Sequence, residues 1–152
     1  MTAQQIIINK YGEPDKDYLA KFCFNWQVKH DFSWFPATKI FINKDFKTKL
    51  AIAFINLEKN NCQTEIKTYD GCFNERNVRA ASSQSLHSWA MAIDLNAALN
   101  PMVIKPFESI TVTDRLGKWS GQFIAIMKAA GITCGGYFIH RPDPMHFACY
   151  DG

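Results

Sequence analysis

Apolar and polar positions follow two different periods along this chain, and the places where the period changes mark its elements. "DKDYLAKFCFNWQVKH" brings Tyr18, Phe22 and Trp26 onto one helical face, with Asp15 or Asp17 placed to cap the start. "TKIFINK" reads as a short strand or extended arm. "DFKTKLAIAFINLEKNN" sets Phe46, Leu50, Phe54 and Leu57 at helical spacing and stops at Asn60-Asn61. "CQTEIKTYDG" follows as a strand that ends at Asp70-Gly71.

The second half opens with "CFNERNVRAASSQS", polar and small, hence a loop, carrying Arg76 and Arg79. "AMAIDLN" then predicts a buried strand with Met91, Ile93 and Leu95 on the core side and Asp94 on the other. "TDRLGKWSGQFIAIMKAAG" predicts one helix with a stripe of Leu116, Trp119, Phe123, Met127 and Ala130, capped by Thr113 or Asp114 and closed by Gly131. "GGYFIH" and "HFACY" read as two short strands joined by the turn "RPDP". Helices and strands mix without βαβ alternation. The expected class is α+β, a small antiparallel sheet with helices packed on it.

Bulk composition narrows the class further. A chain of 152 residues suits one domain, and 47% hydrophobic with 20% charged residues excludes a disordered one. The net charge of +3 is spread along the chain, so no basic tail points to nucleic acid. The start, "MTAQQIIINKYG", lacks a basic region followed by a long apolar run, and no apolar run reaches membrane-spanning length. Synthesis in a cytoplasm without a signal peptide, and no membrane insertion, are therefore expected. Five cysteines, Cys23, Cys62, Cys72, Cys134 and Cys149, form no CxxC pair, which argues for reduced buried thiols.

Candidate chemistry sits in two segments. In "SQSLHSWAMAIDLN", His87 and Asp94 are an odd number of residues apart, so on one straight strand they face opposite sides. They meet only if the chain bends between them, most easily at Ser88 to Ala90. In "HRPDPMHFACY", His146 lies on a strand and Asp143 is held between Pro142 and Pro144 three residues earlier. Two imidazoles and one carboxylate make a zinc site with a fourth position open. A second carboxylate nearby would take a proton from an attacking water. His87, Asp94, His146 and Asp143 supply both parts, on the open face of the sheet.

These motifs resemble those of the zinc D-alanyl-D-alanine carboxypeptidase and L-alanyl-D-glutamate peptidase family, which includes phage endolysins. The first family motif is Ser-x-His-x-x-Gly-x-Ala-x-Asp, matched by Ser85, His87, Ala92 and Asp94. The second, Asp or Glu-x-x-His followed by an aromatic residue, is matched by Asp143, His146 and Phe147. The likeness runs from "YDGCFNER" to "DPMHF" and implies that His87, Asp94 and His146 bind Zn2+ and that Asp143 is the catalytic base. The family's glycine is Ala90 here, at the required bend. Alanine does not readily take a positive φ, so either that position is not left-handed or the turn differs. The family also places an arginine before the first histidine, and Arg76 and Arg79 are the two candidates, Arg76 favoured by its closeness to the preceding strand.

The resemblance implies a single catalytic domain over residues 1–152, acting as a monomer on the stem peptide of bacterial peptidoglycan after release to the wall. Whether it cuts as an endopeptidase or a carboxypeptidase is left open, with the loop "NAALNPMVIKPFESITV" expected to decide. Two rivals stand beside it: a Cys/His amidase built on Cys72 and His87, and a non-catalytic binding domain stabilised by zinc. Ser85 is placed to orient His87. Trp89, Tyr137 and Phe138 suit either a groove wall or the core. His140 and His30 lack evident metal partners.

Overall fold

The computed structural model describes residues 1–74 and 85–150. Its helices are α1 (Ala3–Tyr11), α2 (Lys16–Phe22), α3 (Val28–Asp31), α4 (Lys44–Lys59), α5 (Val112–Leu116) and α6 (Gly121–Ala129). Its strands are β1 (Cys23–Trp26), β2 (Ile40–Asn43), β3 (Tyr69–Gly71), β4 (Ala92–Leu95), β5 (Thr133–Gly135) and β6 (Asp143–Ala148). β1 and β2 pair as an antiparallel ribbon, and the remaining strands form one antiparallel sheet in the order β3-β4-β6-β5. This is the expected α+β class.

α4 follows its apolar period: Phe46, Leu50, Phe54 and Leu57 are all fully buried, and the Asn43 side chain caps it by accepting from the N–H groups of Asp45 and Phe46. α6 is started by Ser120, whose hydroxyl accepts from Phe123 N–H. It lays Phe123 against Trp119 and Phe147, so one aromatic stack joins α6 to the back of β6. The Trp119 indole donates to the Pro144 carbonyl at 2.7 Å, tying that stack to the β6 start.

Four expectations need correction, and one helix was unforeseen. The helix expected to run from Asp15 through Trp26 ends at Phe22, and Cys23–Trp26 turns into a strand. Phe24 and Trp26 share an aromatic-rich stretch whose pairing with Ile42 and Ile40 outweighs a continued turn of helix. α1 was not expected from its pattern at all; Thr2 and Gln5 supply its capping box. The long helix after Thr111 is broken in two at Gly117, which sits at φ 59 where a Cβ would lie 2.3 Å from the Asn100 side-chain oxygen. "GGYFIH" is not a strand: β5 ends at Gly135, the chain turns, and Asp143 opens β6 instead of lying in the turn. Likewise the strand in "CQTEIKTYDG" is confined to Tyr69–Gly71, after a 3₁₀ turn over Gln63–Glu65.

The N-terminal elements converge on one turn in the second half. Trp89 is fully buried, which settles it as core, and its indole donates to the Gly12 carbonyl at 2.9 Å. The Tyr18 hydroxyl donates to the Trp89 carbonyl at 2.6 Å, and Asn43 N–H donates to the Ala90 carbonyl at 3.1 Å. Three elements far apart in sequence therefore hold the chain just after His87.

Candidate metal centre

His87 stands on a 3₁₀ turn over Leu86–Trp89. Ser85 starts this turn through its hydroxyl, which accepts from His87 backbone N–H at 3.3 Å. Ser85 thus fixes the backbone of His87; the ring is held by another group. His87 Nδ1 lies 2.7 Å from the Cys72 carbonyl oxygen. A carbonyl only accepts, so Nδ1 carries the proton and the Nε2 lone pair faces inward. The turn ends at Ala90, whose φ of 54 and ψ of 38 are left-handed. The bend demanded by the sequence is there, and alanine adopts the glycine-like conformation that had been doubted.

That bend brings His87 onto the face of Asp94. Met91, Ile93 and Leu95 are buried in the core as the alternation predicts, and Asp94 emerges on the other side. Asp94 is the direct cross-strand partner of His146 on β6. His87 Nε2 lies 3.4 Å from Asp94 Oδ2, and His146 Nδ1 lies 3.4 Å from Asp94 Oδ1. All three ligand atoms lie within 4.8 Å of one another. Tetrahedral zinc with bonds of about 2.0–2.1 Å has ligand atoms roughly 3.4 Å apart, the spacing that each imidazole nitrogen already keeps to one oxygen of the Asp94 carboxylate, His87 to Oδ2 and His146 to Oδ1. Asp94 Oδ1 is buried without a hydrogen-bond partner, a costly arrangement for a carboxylate unless a cation completes it. The donor set and the orphaned oxygen both fit a zinc ion.

Electrostatics describe the same coupling. Burial pushes the Asp94 carboxyl up, but the imidazoles of His146 and His87 outweigh it and hold its pKa at about 2. Burial pulls His87 down, and the Asp94 carboxylate with the Cys72 carbonyl more than compensates, leaving its pKa raised.

Asp143 reaches this cluster through an irregularity in the sheet. Cys134 pairs with Phe147, yet the next residue, Gly135, pairs with Asp143, so the start of β6 bulges. A bulge re-aims side chains, and this one places Asp143 beside His146 although the two are an odd number of residues apart. Gly135 permits it, since a Cβ there would lie 2.6 Å from the Asp143 carbonyl oxygen. Burial raises the Asp143 pKa; the nearby His146 and His87 pull it down and Asp94 pushes it up, for a net rise. Its Oδ1 is buried and unpartnered.

A cavity of about 650 Å³ opens over the cluster, with His87, Asp94, Asp143, His146, Phe138 and Tyr150 in its wall. Phe138 therefore serves the groove, its ring 5.6 Å from that of His146, whereas Tyr137 is an exposed residue outside it. A smaller hollow of about 220 Å³, lined by Asp70 to Asn74, also adjoins His87 and Asp94. His140 packs against Phe107 and His30 lies exposed on α3; neither approaches the cluster. Arg76 and Arg79 lie outside the described residues. Tyr150 and the Cys72 carbonyl were not singled out from sequence. A backbone acceptor leaves no sequence signal, and Tyr150 had only its place on the His146 side of "HFACY".

The cysteine alternative fails on geometry. Cys72 is fully buried, its thiol donates to the Ala90 carbonyl at 3.5 Å, and burial pushes its pKa well up. His87 meets the carbonyl of Cys72 and has no bond to the sulfur. All five cysteines are free and buried.

Residues 79–149 match the D-alanyl-D-alanine carboxypeptidase family. The matched stretch holds both histidines and both aspartates of the cluster and begins at Arg79, leaving Arg76 just before it. The chain matches no curated protein and no solved structure. Over residues 79–149 the chain therefore carries a metallopeptidase domain of the D-alanyl-D-alanine carboxypeptidase family.

Proposed function

We propose that the chain is a zinc-dependent hydrolase of a peptide bond in the stem of bacterial peptidoglycan, with residues 1–152 acting as one catalytic domain. The observation that carries this reading is the meeting of His87, Asp94 and His146, with ligand atoms within 4.8 Å, beneath a cavity that also contains Asp143. Zinc bound by these three residues would supply Lewis acidity, polarising the scissile carbonyl and making a water easier to deprotonate.

The chain's own groups do the rest. The Cys72 carbonyl fixes the His87 tautomer, so that its Nε2 stays available as a ligand. Asp143 accepts the proton of the water whose oxygen attacks the carbonyl carbon, then passes it to the amine as the C–N bond breaks. Its raised pKa suits the first half of that task, because a more basic carboxylate takes the proton more readily. Arg76 or Arg79 steadies the negative charge that develops on the carbonyl oxygen or on a substrate carboxylate. A base beside the ligands has no use in a purely structural zinc site, which weighs against the non-catalytic alternative.

The setting proposed is that of a phage endolysin acting as a monomer, made in the host cytoplasm and released to the wall with a partner's help. A net charge of +3 favours approach to an anionic polymer. Among the described residues no helix is long and apolar enough to cross a membrane. Mass spectrometry of fragments released from purified peptidoglycan, with and without chelator, tests the reading and identifies the bond. Free D-alanine marks a carboxypeptidase, and new N-terminal D-glutamyl ends mark an L-alanyl-D-glutamate endopeptidase. Release of neither, or release unaffected by chelator, overturns the proposal.

A further inference from the structure

Tyr150 is the one phenol among the described residues of the cavity wall. It lies beyond the end of β6, four residues after His146 and on the same side of the strand direction. Its ring packs 6.1 Å from that of Phe138, which in turn packs on His146. Its hydroxyl is buried and has no hydrogen-bond partner among the described residues.

A buried hydroxyl without a partner costs about 1–3 kcal/mol. Phenylalanine would fill the same space without that cost, so packing alone does not explain the oxygen. Burial, and after it the charges of Cys134, Asp143 and Asp94, push the pKa of the phenol up. It therefore stays protonated and remains a donor throughout the range in which a peptidase works. Being a donor, it suits an oxygen that gains negative charge, and the groups that share its cavity are those that would surround a reacting carbonyl.

We propose that Tyr150 is a catalytic residue whose Oη–H donates a hydrogen bond to the carbonyl oxygen of the scissile peptide as that oxygen becomes anionic. The inference rests on the peptidase reading of the same cavity. No covalent bond to the phenol forms or breaks; it keeps its proton and contributes a hydrogen bond that strengthens between the bound peptide and the tetrahedral state. Arg76 and Arg79 need not be its substitutes, since a carbonyl oxygen accepts two hydrogen bonds.

The test is Tyr150→Phe, which keeps the ring and removes only the oxygen. Zinc content and melting temperature are measured first, beside wild type and His146→Ala. A stem-peptide substrate then gives kcat and KM separately, and calorimetry gives the affinity of a phosphinate analogue that mimics the tetrahedral state. The expected result is normal zinc content, a melting temperature at or above that of wild type, KM within about threefold, and kcat lower by about 10- to 100-fold. Phosphinate affinity should fall by a similar factor, while affinity for the product peptide stays unchanged. A variant with wild-type kcat and wild-type phosphinate affinity overturns the role of Tyr150 and leaves the peptidase reading standing. A wild type that turns over no stem peptide and binds no phosphinate overturns both, and an equal loss in product and phosphinate affinity assigns the phenol to ground-state packing and overturns its catalytic role. If Tyr150→Phe melts well below wild type, Tyr150→Met, which also lacks the hydroxyl, must show the same selective loss, or the proposal fails.

Discussion

Asp94 and His146 face each other directly across β4 and β6, with His146 Nδ1 3.4 Å from Asp94 Oδ1. An ionised pair free to close would sit at about 2.7–2.9 Å. The longer spacing, and the missing partner on Asp94 Oδ1, are what a cation between them requires. His146→Ala removes one ligand from this rigid pair and should abolish stoichiometric zinc binding. Activity should fall by at least about 100-fold, as it should in wild type after chelation, with recovery when zinc is returned. Atomic absorption and peptide hydrolysis on the same samples check this, and zinc-loaded His146→Ala would contradict the assignment.

Asp143 separates catalysis from metal binding. It shares the cavity but is placed there by the β6 bulge, apart from the three ligand atoms. Asp143→Asn should keep wild-type zinc content and lose about 10²- to 10⁴-fold in kcat, the usual contribution of a general acid–base group. Equal activity of the two proteins would remove Asp143 from the chemistry.

Much of this arrangement was legible in the chain because its chemistry is carried by side-chain identity. Two His–Asp segments and the alternation of "AMAIDLN" located Asp94 on the outer face, and the odd spacing from His87 demanded the bend found at Ala90. What the pattern concealed is set by tertiary pairing. Cys23–Trp26 has a helical apolar period as well as β-forming residues, and only the pairing with β2 selects the strand. The β6 bulge depends on Gly135 meeting the Asp143 backbone, a contact between residues whose pairing is not written in either segment alone. The N-terminal half, outside the family match, showed its purpose only when Tyr18, Asn43 and Gly12 were found gripping Trp89 and Ala90.

Cys72 provides a clean test between thiol and metal chemistry. Its functional atom here is the carbonyl oxygen, which any residue can supply. Cys72→Ala should retain at least about half of the activity while losing roughly 1–2 kcal/mol of stability from the smaller buried side chain. Thiol-alkylating reagents should leave the folded wild type active. Activity lost with the sulfur, in a variant that still folds and binds zinc, would restore the amidase alternative.

Ala90 is a fully buried residue at φ 54, a conformation that costs an alanine about 1–2 kcal/mol. Ala90→Gly relieves that strain but loses a buried methyl group, worth about 0.8 kcal/mol, and adds freedom to the unfolded chain. The net change should be within about 1 kcal/mol of zero, with zinc affinity intact. Ala90→Val should lose more than about 2 kcal/mol, because a β-branched residue is a true outlier there, and should weaken zinc binding by displacing His87. Denaturant melts and zinc titrations of the pair check it. A tolerated valine would mean that the left-handed turn does not position the histidine.

The metal-free protein should also reveal the cluster through its response to pH. Asp94 has a folded pKa of about 2 against an ordinary 3.8, so the unfolded chain binds the proton more tightly. The stability from this group is fully present above pH 4 and is lost as pH falls toward 2, in total about 2 kcal/mol. His87 acts at the other end: its raised pKa gives stability that is present below about pH 6.5 and disappears as pH climbs through the folded value. Asp143 opposes Asp94, since its raised pKa makes the folded state the tighter proton binder in acid. The informative quantity is therefore the stability difference between wild type and Asp94→Asn in chelator, followed by denaturant unfolding from pH 2 to pH 8. Between pH 5 and pH 2 the wild-type advantage should shrink by about 2 kcal/mol. A difference that stays level through that window would show that Asp94 is not held ionised by His87 and His146, and the pre-formed ligand cluster would lose its electrostatic basis.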